Sequence, residues 1–257
     1  MKIYAIANQK GGVGKTTTTV NLAAALAELG YRTLIVDLDP QANATSGLGL
    51  SPEPGASLYP VFLGEATLVS RIIPTGLENL DIIPCEMDLA GCEVEIARRE
   101  QPLTALRNIF REYRDSGESP YHFVLFDCPP SLGILMTNAL AAADAVLVPL
   151  QCEYYALEGL SKIIGVIEHI RNTNPLLTPT IGGIVMTMYD ARTRLSQQVV
   201  DDVRLHAADK AFQTIIPRTV RLAEAPSHGK TIFGYDANGV GAHSYRQLAR
   251  EFVQRCG

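Results

Sequence analysis

The sequence predicts an α/β fold: a doubly wound, mostly parallel sheet with helices on both faces. Short apolar runs rich in β-branched residues recur without polar alternation, as in strands covered on both faces. Helical stretches separate these runs, which implies right-handed crossovers between parallel strands. The 257 residues are 47% hydrophobic and 19% charged, a balance that excludes disordered and low-complexity chains. No linker or repeat divides the chain, so residues 1–257 are expected to form a single domain.

The individual elements follow from the position of each apolar run. Strands are predicted at 2–7, 32–37, 80–84, 122–127, 145–150, 181–187 and 212–217. Helices are predicted at 15–29, 101–115, 133–143, 157–172, 195–208 and 241–255, with shorter ones between 57 and 98. Residues 132–150 are apolar over nearly the length of a membrane span, but Asn138 and Asp144 interrupt them. A buried helix followed by a buried strand is therefore expected there.

Charge is distributed unevenly along the chain. The formal net charge is −5, so the whole chain lacks the basic signature of an obligate nucleic-acid binder. Residues 1–185 carry a net charge of −8, whereas residues 186–257 carry +3. Any contact with a polyanion is therefore expected in the last quarter, although a chance imbalance between solvated faces explains the same numbers.

Cysteine usage indicates a reducing compartment. The five cysteines are an odd set and contain no C-x-x-C pair, which argues against a disulfide framework and against a zinc site. Only a short apolar run follows Lys2 before Asn8 and Gln9, so no signal peptide is predicted. We expect a cytoplasmic protein.

A phosphate-binding loop follows the first predicted strand. The loop consists of Lys10, Gly11, Gly12, Val13, Gly14, Lys15, Thr16 and Thr17. Its glycines allow backbone N–H groups to converge on phosphate oxygens, and the following helix adds the partial positive charge of its N-terminus. Lys15 is expected to neutralise the β- and γ-phosphates, and Thr16 to offer a hydroxyl to Mg²⁺.

The loop departs from the common G-x-x-x-x-G-K-[ST] pattern. Gln9 stands where that pattern has its first glycine, and a second lysine, Lys10, stands beside it, which suggests added charge neutralisation. In this respect the sequence resembles the deviant Walker A ATPases. Further segments, in the same order over nearly the whole chain, resemble the ParA/Soj chromosome-partitioning ATPases: 37–41 (DLDPQ), 127–131 (DCPPS), 149–159 (PLQCEYYALEG), 216–218 (IPR) and 221–230 (RLAEAPSHGK).

The resemblance implies roles for three charged residues of the site. Lys10 matches a lysine that reaches the partner's nucleotide in an ATP-bound homodimer. Like an arginine finger, it places a cation where charge develops on the transferring phosphoryl group. Asp39 matches the carboxylate that positions or deprotonates the attacking water, and Asp127 matches the acid that holds Mg²⁺ through water. Both aspartates follow buried strands, where ligands bind in such sheets, although either is also able to cap its loop. Only one of Asp37 and Asp39 needs to face the site.

Nucleotide and DNA contacts are also implied. The chain has no N-K-x-D guanine-binding segment, which favours ATP. By resemblance, the base lies against Pro217 and Arg218, and Arg192 and Arg221 bind double-stranded DNA without sequence preference once ATP has formed the dimer. Lys230, Arg246 and Arg250 are further candidates for that surface, each also explained as a solvated charge. The expected function is a slow ATPase switch for chromosome or plasmid partitioning, located on the nucleoid and reset by a ParB-like centromere-binding protein.

Two other classes of protein share this nucleotide chemistry. A MinD-like switch would anchor to the membrane through a C-terminal amphipathic helix, but residues 244–257 place only Leu248 and Phe252 on one face, with Tyr245 near them. A short core-packing helix and no membrane partner are expected instead. A reductase like the nitrogenase iron protein would hold an iron–sulfur cluster between subunits, but Cys128, directly after Asp127, is not where that family places a ligand.

Overall fold

Seven strands form one sheet in the computed structural model, which describes residues 1–256. The strands are β1 (Lys2–Ile6), β2 (Thr33–Asp37), β3 (Ile73–Leu77), β4 (Leu80–Ile83), β5 (Phe123–Asp127), β6 (Ala145–Gln151) and β7 (Ile181–Thr187). Their order across the sheet is β3-β4-β2-β5-β1-β6-β7, and every neighbouring pair is parallel except β3 and β4. The predicted fold class is confirmed.

Helices cover both faces of the sheet. They are α1 (Lys15–Glu28), α2 (Asn43–Gly47), α3 (Tyr59–Leu63), α4 (Cys92–Ala97), α5 (Ala105–Asp115), α6 (Ile134–Ala142), α7 (Ala156–Thr173), α8 (Arg194–His206), α9 (Val220–Glu224), α10 (Ile232–Tyr235) and α11 (Val240–Cys256). Alternate residues of β1 divide between two cores: Ile3 packs with α5, α6, α7 and α8, whereas Tyr4 packs with α1 and α11. The apolar strands therefore lie between two helical layers, as their lack of polar alternation predicts.

The C-terminal helix packs into the core. Tyr245, Leu248 and Phe252 on α11 are each at most 1% exposed and pack with α1. The expectation of a core-packing helix over 244–257 is confirmed up to Cys256, and Gly257 lies outside the described residues. Among residues 1–256, no helix is both long and apolar enough to cross a membrane.

One predicted strand is wrong. Residues 212–217 form no continuous strand: the segment 211–217 meets the sheet edge at two isolated bridges, Ile184 with Ala211 and Tyr189 with Pro217, and through the Ile216 N–H, which donates to the Met186 carbonyl. The backbone N–H groups of Gln213 and Thr214 donate instead to the Glu251 carboxylate on α11, at 2.7 and 2.9 Å. Because these donors are already bonded, the segment cannot extend a ladder along β7.

One strand was not predicted. Strand β3 runs antiparallel at the sheet edge and contains Pro74 and Gly76, which signal a turn rather than a strand. An edge strand tolerates proline because one of its sides makes no ladder hydrogen bonds. The strand before Asp127 is consequently the fifth along the chain, not the fourth.

Candidate functional site

The loop after β1 and the segment after β2 meet at the carboxyl edge of the sheet, around a cavity of about 460 Å³. Predicted residues from both segments line it: Gly11, Gly12, Gly14, Lys15, Thr16, Thr17 and Asp39. Asp37 and Asp127, the last residues of β2 and β5, are paired neighbours in the sheet. Segments far apart in sequence thus meet where ligands bind in open α/β sheets.

The loop leaves the first turn of α1 free to bind an anion. Gly12 and Gly14 adopt left-handed backbone conformations, with φ of 73° and 86°, which residues with a side chain rarely adopt. Gly14 is the N-cap of α1 and provides no side-chain cap, so N–H groups of the first turn remain available. Thr187 Oγ1 donates to the Val13 carbonyl at 2.8 Å, which ties the loop to β7. This geometry suits a phosphate group.

Lys15 is a buried cation without a carboxylate partner among residues 1–256. Its Nζ donates to the Lys10 carbonyl at 3.2 Å, and its side chain lies in the cavity wall. Burial lowers the pKa of Lys15, and the nearby Asp127 carboxylate opposes that shift. An anion in the cavity would favour the charged form of Lys15, which burial disfavours.

Asp127 has the properties of a group that binds a cation through water. The side chain is fully buried, and its Oδ2 has no hydrogen-bond partner within the described chain, whereas Oδ1 accepts from Thr19 Oγ1 at 3.0 Å. Burial and the neighbouring Asp37 raise the pKa of Asp127 to about 8. A divalent cation nearby would favour the charged form. Asp127 itself does not line the phosphate cavity, but Thr16 does. These residues fit Mg²⁺, which commonly binds through few protein ligands plus phosphate and water.

The two carboxylates of the DLD segment have different roles. Asp37 Oδ2 accepts from the Thr45 backbone N–H at 2.9 Å and from its hydroxyl at 2.7 Å, while Oδ1 accepts from the Asp39 N–H at 3.2 Å. Asp37 therefore caps the loop that follows β2. Asp39 Oδ1 accepts from the Gln41 N–H at 3.0 Å, but its side chain still lines the cavity. Of the two carboxylates, Asp39 is the one that lines the cavity.

Lys10 does not line the cavity of its own chain. Its Nζ donates to Glu153 Oε2 at 3.1 Å, and Gln151 Nε2 donates to the other oxygen of Glu153 at 2.6 Å. The Lys10 N–H donates to Asn8 Oδ1 at 3.0 Å, which holds the start of the loop. The Lys10 and Glu153 side chains are 35% and 47% exposed, so the ion pair is accessible to a second molecule.

A second cavity, of about 490 Å³, adjoins the phosphate loop. Gly14 and Thr17 line it, as do Pro217 and Arg218, so the two residues predicted to contact the base adjoin the phosphate loop. Met188 contributes to both cavities and has a φ of 52°. A left-handed backbone conformation is uncommon for residues other than glycine, and the few cases occur mainly at functional sites.

The two predicted DNA-binding arginines flank the second cavity. Arg192 lines it, as do the residues on either side of Arg221. Arg192 forms two hydrogen bonds to Asp190, at 2.7 and 2.9 Å, which hold the pKa of that carboxyl well below its usual range. Arg221 donates to Glu224 at 3.2 Å, and both guanidinium groups are exposed.

The three additional basic candidates have different surroundings. Lys230 lines the phosphate cavity, and Arg246 is held by two hydrogen bonds to Glu28. Arg250 is exposed on α11.

Cys128 is only 1% exposed, and burial raises its pKa, so it is inaccessible to a cluster shared between subunits. Within the part of the chain that is described, no group of three or more histidine, cysteine or acidic residues is suited to a metal ion.

Three supporting residues were missed from the sequence. Thr19 holds Asp127, Thr45 holds Asp37, and Glu153 holds Lys10. Thr19 lies one helical turn after Lys15, and this spacing would have placed it on the same face of α1. Thr45 and Glu153 carry no such local signal, because their partners lie on other elements of the fold.

The chain matches a family model described as an AAA domain over residues 1–179. It is 49% identical to the chromosome partitioning protein ParA of Caulobacter vibrioides, covering 99% of this chain and 95% of the relative. It is 49% identical to the chromosome-partitioning ATPase Soj of Treponema pallidum (100% and 98% covered) and 51% identical to Soj of Thermus thermophilus (98% and 95% covered).

Solved structures share the fold. A protein described as cobyrinic acid a,c-diamide synthase from Mycobacterium smegmatis, with a bound ATP analogue and magnesium, superposes with a TM-score of 0.82 at 35% identity, covering 99% of this chain and 95% of that one. The cell division ATPase MinD of Pyrococcus furiosus superposes with a TM-score of 0.77 at 26% identity, covering 98% of each chain. Identity is higher to the partitioning relatives than to either of these.

Proposed function

Because the chain belongs to the ParA/Soj family of chromosome-partitioning ATPases, we propose that it is an ATP-driven switch for moving DNA, with residues 1–257 as one ATPase domain. One observation carries this proposal: Lys10 lies outside the phosphate cavity of its own chain and pairs with an exposed carboxylate. A loop lysine that does not reach its own nucleotide is available to a second subunit.

ATP and Mg²⁺ are the ligands of the site. The N–H groups of the loop and Lys15 bind the phosphates, and Thr16 and Asp127 would hold the metal ion, Asp127 through water. When bound, Mg²⁺ would neutralise part of the phosphate charge. Asp39 orients the attacking water, and the pocket at Pro217 and Arg218 receives adenine.

The homodimer forms when ATP is bound. In this arrangement Lys10 exchanges Glu153 for the phosphates of the partner's nucleotide and adds a cation where charge develops during phosphoryl transfer. Hydrolysis is slow in the free protein because the site of a single chain lacks this cation. A ParB-like centromere-binding protein accelerates hydrolysis and resets the switch.

DNA binding depends on the dimer because a single chain presents few basic side chains. Arg192 and Arg221 each have an acidic neighbour, so one subunit offers a weak electrostatic surface. Two subunits double the contacts, and the second contact becomes effectively intramolecular. The dimer is consequently the form that binds double-stranded DNA on the nucleoid.

Asp39→Ala is expected to leave binding of Mg·ATP intact and to reduce hydrolysis by at least about 100-fold, because positioning water is separate from holding the nucleotide. The variant should accumulate as an ATP-bound dimer in size-exclusion chromatography, with phosphate release measured in parallel. Asp201→Ala, on the exposed surface of α8, is the control and should behave as wild type. Wild-type turnover by the Asp39 variant would assign the catalytic role to another group.

Arg192→Ala and Arg221→Ala are each expected to weaken DNA binding by about tenfold for any sequence, because contacts to phosphate carry no sequence information. The dependence of log affinity on log salt should become shallower by roughly 1 to 2 units per dimer. Gel shifts on two unrelated duplexes, with ADP and with ATP, test this. Arg98→Ala, whose side chain directly follows α4 and is 74% exposed, is the control.

Two results would contradict the proposed switch. Equal DNA affinity with ADP and ATP would remove the dependence on nucleotide. Wild-type DNA binding by the double variant of Arg192 and Arg221 would remove these residues from the interface and favour the MinD-like alternative.

A further inference from the structure

A second polar pocket lies at the opposite edge of the sheet from the nucleotide. It has a volume of about 250 Å³ and is lined by Ile3 near the start of β1, by Asp144 just before β6 and by Thr178 shortly before β7. These are the amino ends of parallel strands, whereas the phosphate cavity is at their carboxyl ends. With five residues in β1, the two sites are separated by roughly 15 Å or more.

Three arginines of α5 face this pocket. Arg107, Arg111 and Arg114 are spaced four and three residues apart, which brings them to one side of the helix. They are three of only twelve basic residues in the strongly acidic segment 1–185. The three arginines therefore form a basic group in an otherwise acidic part of the chain.

Only one of the three arginines has an acidic partner. Arg114 Nη2 donates to Asp144 Oδ2 at 2.9 Å, and the same oxygen accepts from the Ile3 N–H at 2.7 Å. The side chains of Arg107 and Arg111 form no hydrogen bond or ion pair with any other residue in the range 1–256. The pocket thus holds two guanidinium groups whose charge nothing in the described chain balances.

We propose that this pocket binds a small phosphate monoester. Two unpaired guanidinium groups match a doubly charged anion, and guanidinium forks bind phosphate oxygens in pairs. A phosphate monoester is mostly dianionic near pH 7.5, because its second pKa is about 6. Ala142 and the aliphatic stems of the arginines offer a small apolar surface to the organic group, whereas Phe110 and Leu177 also line the pocket but are each only 1% exposed.

The shape and surroundings of the pocket disfavour DNA. A duplex would meet the exposed acids Glu112, Asp115 and Glu118 around α5, whereas none of these acids lines the pocket itself. Arg192 and Arg221, the arginines of the proposed DNA surface, are on the carboxyl side of the sheet. Binding of a phosphate monoester in this pocket does not require the proposed ATP-driven switch.

Calorimetric titration of the full chain saturated with Mg·ADP tests the proposal, because ADP fills the phosphate loop. Phenyl phosphate is expected to bind saturably and at least about tenfold more tightly than benzoate, which has the same ring and one charge less. Inorganic phosphate is expected to bind more weakly than phenyl phosphate, since it lacks the apolar group. All titrations are run at one ionic strength.

Arg107→Gln with Arg111→Gln should weaken phenyl phosphate binding by at least about tenfold, while Arg98→Gln should not. ATP hydrolysis and DNA binding should be unchanged in the double variant. Its circular dichroism spectrum should match that of the folded wild type. The single variant Arg111→Gln, at an exposed position, gives the same test if the double variant misfolds.

Three results would overturn the proposal. The first is the absence of saturable phenyl phosphate binding to the wild type, and the second is equal binding by wild type and variant. The third is displacement of phenyl phosphate by a short DNA duplex together with loss of DNA affinity in the double variant, which would assign the arginines to a DNA surface.

Discussion

Lys15→Ala is expected to abolish nucleotide binding, with ATP affinity reduced by at least about 100-fold. Charge-assisted hydrogen bonds contribute about 1.5 to 3 kcal/mol each, and the loop would lose the cation that compensates the β- and γ-phosphates. Asp127 and Asp39 increase this loss of affinity. Their carboxylates act electrostatically on Lys15, and without the lysine their charge would repel the phosphates. Titration with a fluorescent ATP analogue measures it.

The control for this variant is Lys210→Ala, which removes an exposed lysine paired with Asp209 at 3.6 Å. Its ATP affinity should equal that of the wild type. ATP affinity within a few-fold of wild type in the Lys15 variant would contradict the assignment of the loop as a phosphate-binding site.

Lys10→Ala is expected to bind ATP normally but to form no ATP-dependent dimer and to lose hydrolysis. The reason is geometric: the Lys10 ammonium pairs with Glu153 in its own chain and does not line its own cavity, so its removal spares binding within the subunit. Stability should change by about 1 kcal/mol or less, because exposed ion pairs contribute little.

Size-exclusion chromatography with ADP and with a slowly hydrolysed ATP analogue, combined with a phosphate-release assay, measures both effects. Lys210→Ala again serves as the control. Mixing the two variants provides a sharper test: Lys10→Ala and Asp39→Ala proteins, each inactive alone, should together regain hydrolysis if the lysine acts on the other subunit's nucleotide. One site of the mixed dimer then has both residues. An ATP-dependent dimer of the Lys10 variant alone would show that this lysine is only a surface residue.

Local spacing accounts for what could be predicted of the fold. Apolar runs without alternation predict strands buried on both faces, and six of the seven predicted strands are present. The segment 212–217 has the same composition but is held by Glu251 of α11, a contact from a distant part of the chain. Strand β3 was hidden because its proline and glycine are acceptable only at an edge, and edge position is a property of the sheet.

By itself, the sequence determined the fold class, the phosphate-binding loop and the family, because each is recognised from short segments whose residues are close together in the chain. A run from Lys10 to Thr17 after a buried strand needs no distant contact to be recognised. Only the tertiary structure decided which carboxylate of the DLD segment is free, since Thr45 occupies Asp37 and leaves Asp39 facing the cavity. It also decided that Lys10 rests on Glu153 and that three arginines of α5 share a pocket with Asp144 and Thr178. Those arrangements join segments up to about 140 residues apart, and hydrogen bonds and charges act through space, so spacing along the chain carries no record of them.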